Sequence, residues 1–238
     1  MNKTNTTNNV LVIGDTHCPA MLPEYVDFLQ DIQESWGCDR VVHIGDLVDW
    51  ASISYHPKAP SLKNSEAEFE HAAAQVAELY AAFPKADWLI GNHDSLTERQ
   101  ATDLGLPLNV LKDYDELWGV QGWTVHPRYA DLIIDGVCYR HGDKGKGGSM
   151  PAFMNAKTEF QSVVQGHFHA SAGVLFGANI NQRFFGMQVG SGVDYRKAAM
   201  AYGVKYSSKP LLGCGVVIQG ETPIFEPMLL ENKMGILS

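Results

Sequence analysis

The sequence is poor in cysteine, in positive charge and in long apolar runs, and each shortage removes a class of protein. Four cysteines, Cys18, Cys38, Cys138 and Cys214, are scattered through 238 residues with no CxxC pair. Small secreted scaffolds need a denser set, so reduced thiols and a cytoplasmic setting are expected. A chain of this length buries a core without covalent staples. No apolar stretch approaches the roughly 18 residues of a membrane span, and Met1 to Asn9 lacks the apolar centre of a signal peptide. Lys plus Arg number 18 against 27 Asp plus Glu, a formal charge of -9. Such a surface repels phosphate backbones at a distance, which argues against sequence-blind coating of duplex DNA. A local phosphate site stays open, because bound metal ions reverse the field inside a cleft. Internal repeats and low-complexity linkers are also missing. One domain over residues 10–238 follows, behind a polar tail at 1–9 expected to be disordered.

What is present begins with short apolar runs, each closed by a glycine. Val10 to Ile13, Val41 to Ile44, Trp88 to Ile90 and Ser162 to Gln165 fit buried strands with sharp exits. Helical patterns separate them. Val26, Leu29, Ile32 and Trp36 recur at helical spacing, with Pro23 in the first turn and Gly37 as the stop. A second helix starts near Ser65, where Ser65-x-x-Glu68 permits a capping box. Its stripe is Phe69, Ala72, Val76, Leu79 and Phe83, and Pro84 closes it. Strand, helix, strand in this order implies parallel pairing with crossover helices. Beyond residue 130 the pattern changes to a hairpin, Leu132 to Arg140 about Asp135-Gly136. Four strand-like runs follow: Gly173 to Ile180, Arg183 to Val189, Gly213 to Gln219 and Pro223 to Leu230. One helix, Pro151 to Phe160, interrupts the series. The expected class is α/β, with two sheets face to face and helices outside.

The chemistry sits just after the strands. The exits read Gly14-Asp15-Thr16-His17, Gly45-Asp46-Leu47-Val48-Asp49, Gly91-Asn92-His93-Asp94, His141-Gly142-Asp143 and Gly166-His167-Phe168-His169. Carboxyl ends of parallel strands lie along one edge, where ligands bind. Side chains two apart on extended backbone point the same way, so Asp15 with His17, and His167 with His169, offer paired donors. Carboxylate, imidazole and carboxamide together suit Mn, Fe, Zn or a related divalent ion. Two such ions against two carboxylates leave positive charge for a phosphate oxyanion and activate water, a recipe for phosphoester hydrolysis.

This ordered set, Asp-x-His, Gly-Asp, Gly-Asn-His-Asp, His and Gly-His-x-His, resembles the calcineurin-like metallophosphoesterase superfamily over Asp15 to His169. The resemblance implies an αββα sandwich of two mixed sheets flanked by helices, with a dinuclear metal centre at the sheet edge. Carried over by position, it implies Asp15, His17 and His169 on one metal. Asn92, His141 and His167 take the other, and Asp46 bridges. The implied ions are Mn, with Fe, Zn or Ni as alternatives. His93 resembles the residue that protonates the leaving oxygen or steadies the transition state, and Asp94 could orient it. The implied reaction is in-line attack by a metal-bridging hydroxide. Two departures argue against a protein phosphatase: Trp50 follows Asp49 where that branch has arginine, and Asp94 stands for its glutamate. No appended cap or DNA-recognition domain follows residue 170, so similarity to repair nucleases is confined to the catalytic module. Phosphodiesters of nucleotide or nucleic-acid type are the expected substrates. A phosphomonoesterase and a non-catalytic metal-binding scaffold are the alternatives.

Around the motifs the sequence leaves choices open. Lys144 and Lys146, in a glycine-rich run that lacks P-loop spacing, belong to a mobile loop or touch substrate phosphate. His56 either lines the cleft or serves the loop it sits in. Arg196, in a locally basic stretch with Lys197, Lys205 and Lys209, is solvated or meets nucleic acid. Asp143 is a partner to the site or a turn residue. His43, His71 and His126 are read as structural, and Cys18 as a bystander. Oligomeric state has no signature.

Overall fold

The computed structural model describes residues 8–56, 60–145, 147–197 and 208–230. Its strands in chain order are β1 (Asn9–Ile13), β2 (Arg40–His43), β3 (Asp87–Leu89), β4 (Thr124–His126), β5 (Leu132–Ile134) and β6 (Val137–Arg140). They continue as β7 (Val163–Gln165), β8 (Ala172–Ala178), β9 (Arg183–Val189), β10 (Gly213–Ile218) and β11 (Thr222–Pro227). The helices are α1 (Tyr25–Trp36), α2 (Ser65–Ala82), α3 (Leu96–Asp103), α4 (Tyr114–Trp118) and α5 (Pro151–Glu159).

The apolar runs become strands because both faces of each are covered. In β1, Leu11 and Ile13 pack toward the helices, whereas Val10 and Val12 face the other sheet. That split is the period-two geometry of a strand acting on a continuous apolar run. The first sheet has the order β11-β10-β1-β2-β3-β4, with β1 to β4 parallel and β10 antiparallel to β1. The second has the order β5-β6-β7-β9-β8, with β6, β7 and β9 parallel between antiparallel edges. Val42, Ile44 and Leu89 meet Tyr139, Val164 and Met187 in the layer between the sheets. Leu29, Val76 and Leu79 of α1 and α2 cover the first sheet. Phe153 and Ala156 of α5 cover the second. The result is the expected single domain of two mixed sheets between helices. No helix among the described residues is long and apolar enough to cross a membrane.

Several local expectations shift. Helix α1 begins at Tyr25 with Glu24 at its cap, so Pro23 lies before the first turn, while Gly37 closes it at φ 57°. The capping box at Ser65 is replaced: Asn64 accepts from the Ala67 N–H. Glu68 accepts instead from the N–H groups of Ala51 and Ser52, tying the loop after β2 to α2. Asn9 opens β1 and Asn8 is bonded to Asp135, so only residues 1–7 of the polar tail lie outside the described residues. Strand β4 and helices α3 and α4 had no counterpart in the periodicity reading, because each is short and mostly half-exposed.

Candidate metal centre

Three exits of the first sheet and two of the second converge. Asp15 and His17 follow β1, Asp46 follows β2, Asn92 follows β3, His141 follows β6, and His167 and His169 follow β7. Tight turns aim them: His17, Asp46 and His167 take positive φ, a cost that non-glycine residues bear where surrounding structure fixes them. Glycines let the carboxylates in. A Cβ on Gly91 would sit 2.2 Å from Asp46 Oδ1, and one on Gly166 would sit 2.2 Å from Asp15 Oδ1.

Three donor groups result, Asp15 with His17 and His169, Asp46 with His141 and His167, and His17 with Asp49 and His93, each within 4.8 Å atom to atom. Asp46 Oδ2 lies between the first two, 3.6 Å from His17 Nε2 and 3.3 Å from His141 Nε2. Asn92 Oδ1 is 3.0 Å from His141 Nε2. Nδ1 of His141 faces the Ile44 carbonyl at 3.1 Å, and Nδ1 of His17 faces Asp49 Oδ1 at 2.8 Å. Both rings therefore turn Nε2 inward, the orientation that outer partners give to metal-binding imidazoles. Nε2 of His17 and Nε2 of His169 point at each other across 3.2 Å. Nε2 of His169 also lies 2.8 Å from Asp15 Oδ2, so these donor atoms gather at one point where a cation would find them. The donor set and its cradle fit divalent ions of hard to borderline character.

Electrostatics agree. Burial opposes charge on Asp15 and Asp46, but His169 for the first and His141 for the second outweigh it, and both carboxyls stay below their ordinary pKa. Burial likewise opposes a proton on His141, yet Asp46 and Asp15 lift it to about 10. His17 and His167 are pushed down by burial and by neighbouring imidazoles. A divalent cation takes the place of the His141 proton in such a site.

His93 stands at the rim. Its N–H donates to Asp46 Oδ1 at 2.7 Å, and its Nδ1 is 2.7 Å from the Asp49 carbonyl and 3.2 Å from Asp49 Oδ1. The expectation that Asp94 orients His93 is corrected. Asp94 turns inward and accepts from Gly91 N, Val48 N and Trp88 Nε1, bracing the third exit against the second. Asp49 takes the orienting place, between His17 and His93. The sequence offered one signal for it, its position three residues after Asp46 in a strand exit.

The cleft beside this rim has a volume of about 420 Å³ and is lined by His56, Asn92, His93, Arg99, Arg128 and His167, among others. His56 is among the residues that line this cleft. Lys144 is not: its Nζ donates to the Tyr129 carbonyl and to Asp131. Arg196 is bound to Asp194 beside the loop of Ala20, away from the cleft. Lys146 and Lys205 lie outside the described residues. The cations that line the cleft, Arg99 from α3 and Arg128 after β4, belong to no motif. Arg128 is paired with Asp143. His43, buried at the end of β2, bonds Thr16, and His126 bonds Asp87, as structural histidines do. Cys18 is buried and burial raises its thiol to about 12, which suits a bystander.

Compared with known proteins, residues 9–186 match the family model for calcineurin-like phosphoesterases. A search of curated protein sequences gave no match. Among solved structures, vacuolar protein sorting 29 from Cryptosporidium parvum is 14% identical at a TM-score of 0.45, covering 89% of this chain and 86% of its own. YfcE, a phosphoesterase from E. coli, is 13% identical at 0.41, covering 88% of each chain. The nuclease MPE of Pseudomonas putida is 14% identical at 0.37, covering 90% and 87%.

Proposed function

Because the chain belongs to the calcineurin-like phosphoesterase family, we propose that it hydrolyses phosphoesters in a metal-dependent reaction and prefers phosphodiesters of nucleotide or nucleic-acid type. The observation that carries this reading is the pair of buried donor groups with Asp46 between them. In it, Asp15, His17 and His169 would hold one divalent ion, Asn92, His141 and His167 would hold another, and Asp46 would serve both. Bound there, two divalent ions, manganese first and iron, zinc or nickel next, would supply Lewis acidity toward phosphoryl oxygen and lower the pKa of a bound water.

The rest is work for the chain itself. Asp49 occupies Nδ1 of His93, so Nε2 is the atom that gives a proton to the departing oxygen. Asp46 and Asp49 keep that proton in place by overcoming burial, with the His93 pKa up at about 10. Arg99 brings positive charge to the cleft wall, while Arg128 beside it is paired with Asp143. The absence of an arginine after Asp49 and of a glutamate at Asp94 favours small or nucleic-acid diesters over phosphoproteins. Four buried thiols support a reducing compartment such as the cytoplasm.

The test compares the bis(para-nitrophenyl) diester with the para-nitrophenyl monoester in protein loaded with manganese. Faster diester turnover is expected. Turnover of the monoester alone would overturn the diester preference. Full metal loading with neither substrate consumed would overturn hydrolysis and favour the scaffold.

A further inference from the structure

The cleft beside the metal centre continues past Arg99 to a second hollow of about 450 Å³ lined by Tyr55, Glu98, Arg99, Thr102, Asp103 and Leu108. Tyr55 and Arg99 border both. Tyr55 is 50% exposed. Its ring lies under the Arg99 guanidinium at 4.9 Å, and its hydroxyl donates to Asp103 at 2.6 Å. Arg99 and Asp103 are four apart on α3, so one helical face clamps the ring from two sides. The loop that carries Tyr55 is tied to the same helix, since Gln100 Nε2 donates to the Ile53 carbonyl at 2.6 Å.

Arg99 also reaches the other way. Its Nη1 donates to the carbonyl of Asn92 at 3.4 Å, and Asn92 is one of the residues assigned to the centre. No carboxylate pairs with Arg99 among the described residues, whereas Arg128 is paired with Asp143 and Arg196 with Asp194. An arginine without a counter-ion, between a phosphoester centre and a pinned, half-exposed aromatic ring, has the chemistry of a nucleotide subsite. Guanidinium binds phosphate oxygens, and a fixed aromatic face stacks a base regardless of its identity.

We infer that Tyr55 and Arg99 form a nucleotide subsite beside the metal centre, with Arg99 on a phosphate oxygen of the substrate and the attached base stacked on the Tyr55 ring. The ring face away from Arg99 receives the base, so guanidinium, phenol and base form a three-layer stack. Recognition of this kind selects for a nucleoside attached to the phosphate without selecting which base it carries. The inference rests on the phosphoesterase reading for the centre, and it predicts a substrate class that the centre alone does not specify.

The test reads binding separately from turnover. Calorimetry of the metal-loaded protein with thymidine monophosphate and with ribose phosphate measures what the base contributes. The nucleotide is expected to bind about tenfold tighter or more. Tyr55→Ala should bring the two affinities together, while Tyr55→Phe, which keeps the ring and drops the Asp103 bond, should keep them apart. Arg99→Gln should weaken both ligands. Equal affinities in the wild-type protein, or an unchanged ratio in Tyr55→Ala, would overturn the subsite. The two readings fail separately: diester turnover without base discrimination removes the subsite alone, and discrimination without any turnover removes the hydrolase alone.

Discussion

A buried carboxylate steadies two imidazoles at once only when both turn a nitrogen toward it, and Asp49 is so placed. Its Oδ1 is 2.8 Å from His17 Nδ1 and 3.2 Å from His93 Nδ1, and those contacts outweigh burial and draw its pKa down to about 2. If His93 is the acid of the reaction, it works while protonated, and the rate falls as pH rises through its pKa. Removing the Asp49 charge lowers that pKa. Asp49→Asn should therefore move the alkaline limb of the rate profile to lower pH and cut metal affinity and kcat roughly 10- to 100-fold. His93→Ala should lower kcat while metal content, read by elemental analysis, is retained. An alkaline limb that stays in place in Asp49→Asn would contradict the role given to Asp49. At this scale the convergence of the strand exits was legible because most open just after an apolar run and a glycine, while His141 stands just before Gly142. The exchange between Asp94 and Asp49 was not, since the direction of a side chain in a turn depends on φ and ψ that spacing does not reveal. Arg99 and Arg128 were illegible for another reason: they lie outside the strand exits, on a helix and in a loop without a motif.

Elements meet where a side chain is missing. Gly186 in β9 faces α5 so closely that a Cβ would fall 2.3 Å from the backbone N and Cα of Phe153. That contact seats the helix behind β7 and β9, and β7 carries His167 and His169 at its exit. Overpacking of a tight contact costs about 1–3 kcal/mol. Gly186→Val should lower the urea midpoint accordingly, and an unchanged midpoint would show that α5 does not seat there. Most strands were readable to within two or three residues, because Val- and Ile-rich runs ended by glycine carry a strong local signal. Helix α3 was not, since only Leu96 and Ala101 of its eight residues are buried and no stripe results. Helix α2 starts at Ser65 as read, but its cap is Asn64 and no Ser65 box forms, because Glu68 is drawn to the N–H groups of Ala51 and Ser52.

The whole molecule is a stack of layers whose purpose at one edge is to bring two sheets' strand ends together. Donors from β1, β2 and β3 come from one sheet and those from β6 and β7 from the other, so neither sheet could build the site alone. The two-sheet architecture was legible from the change from helix-separated strands to glycine-punctuated ones. Strand order was not: β10 returns across the chain to lie antiparallel to β1, a non-local pairing that no local pattern announces. An acidic chain that gathers four imidazoles and two carboxylates in one place has the donors that could hold metal ions. The direct measurement is anomalous scattering from crystals grown with manganese. Two peaks are expected about 3.5–4 Å apart, one against Asp15, His17 and His169, the other against Asn92, His141 and His167, with Asp46 touching both. Crystals fully exposed to manganese that show no peak at these residues, or show the ions bound elsewhere, would contradict it.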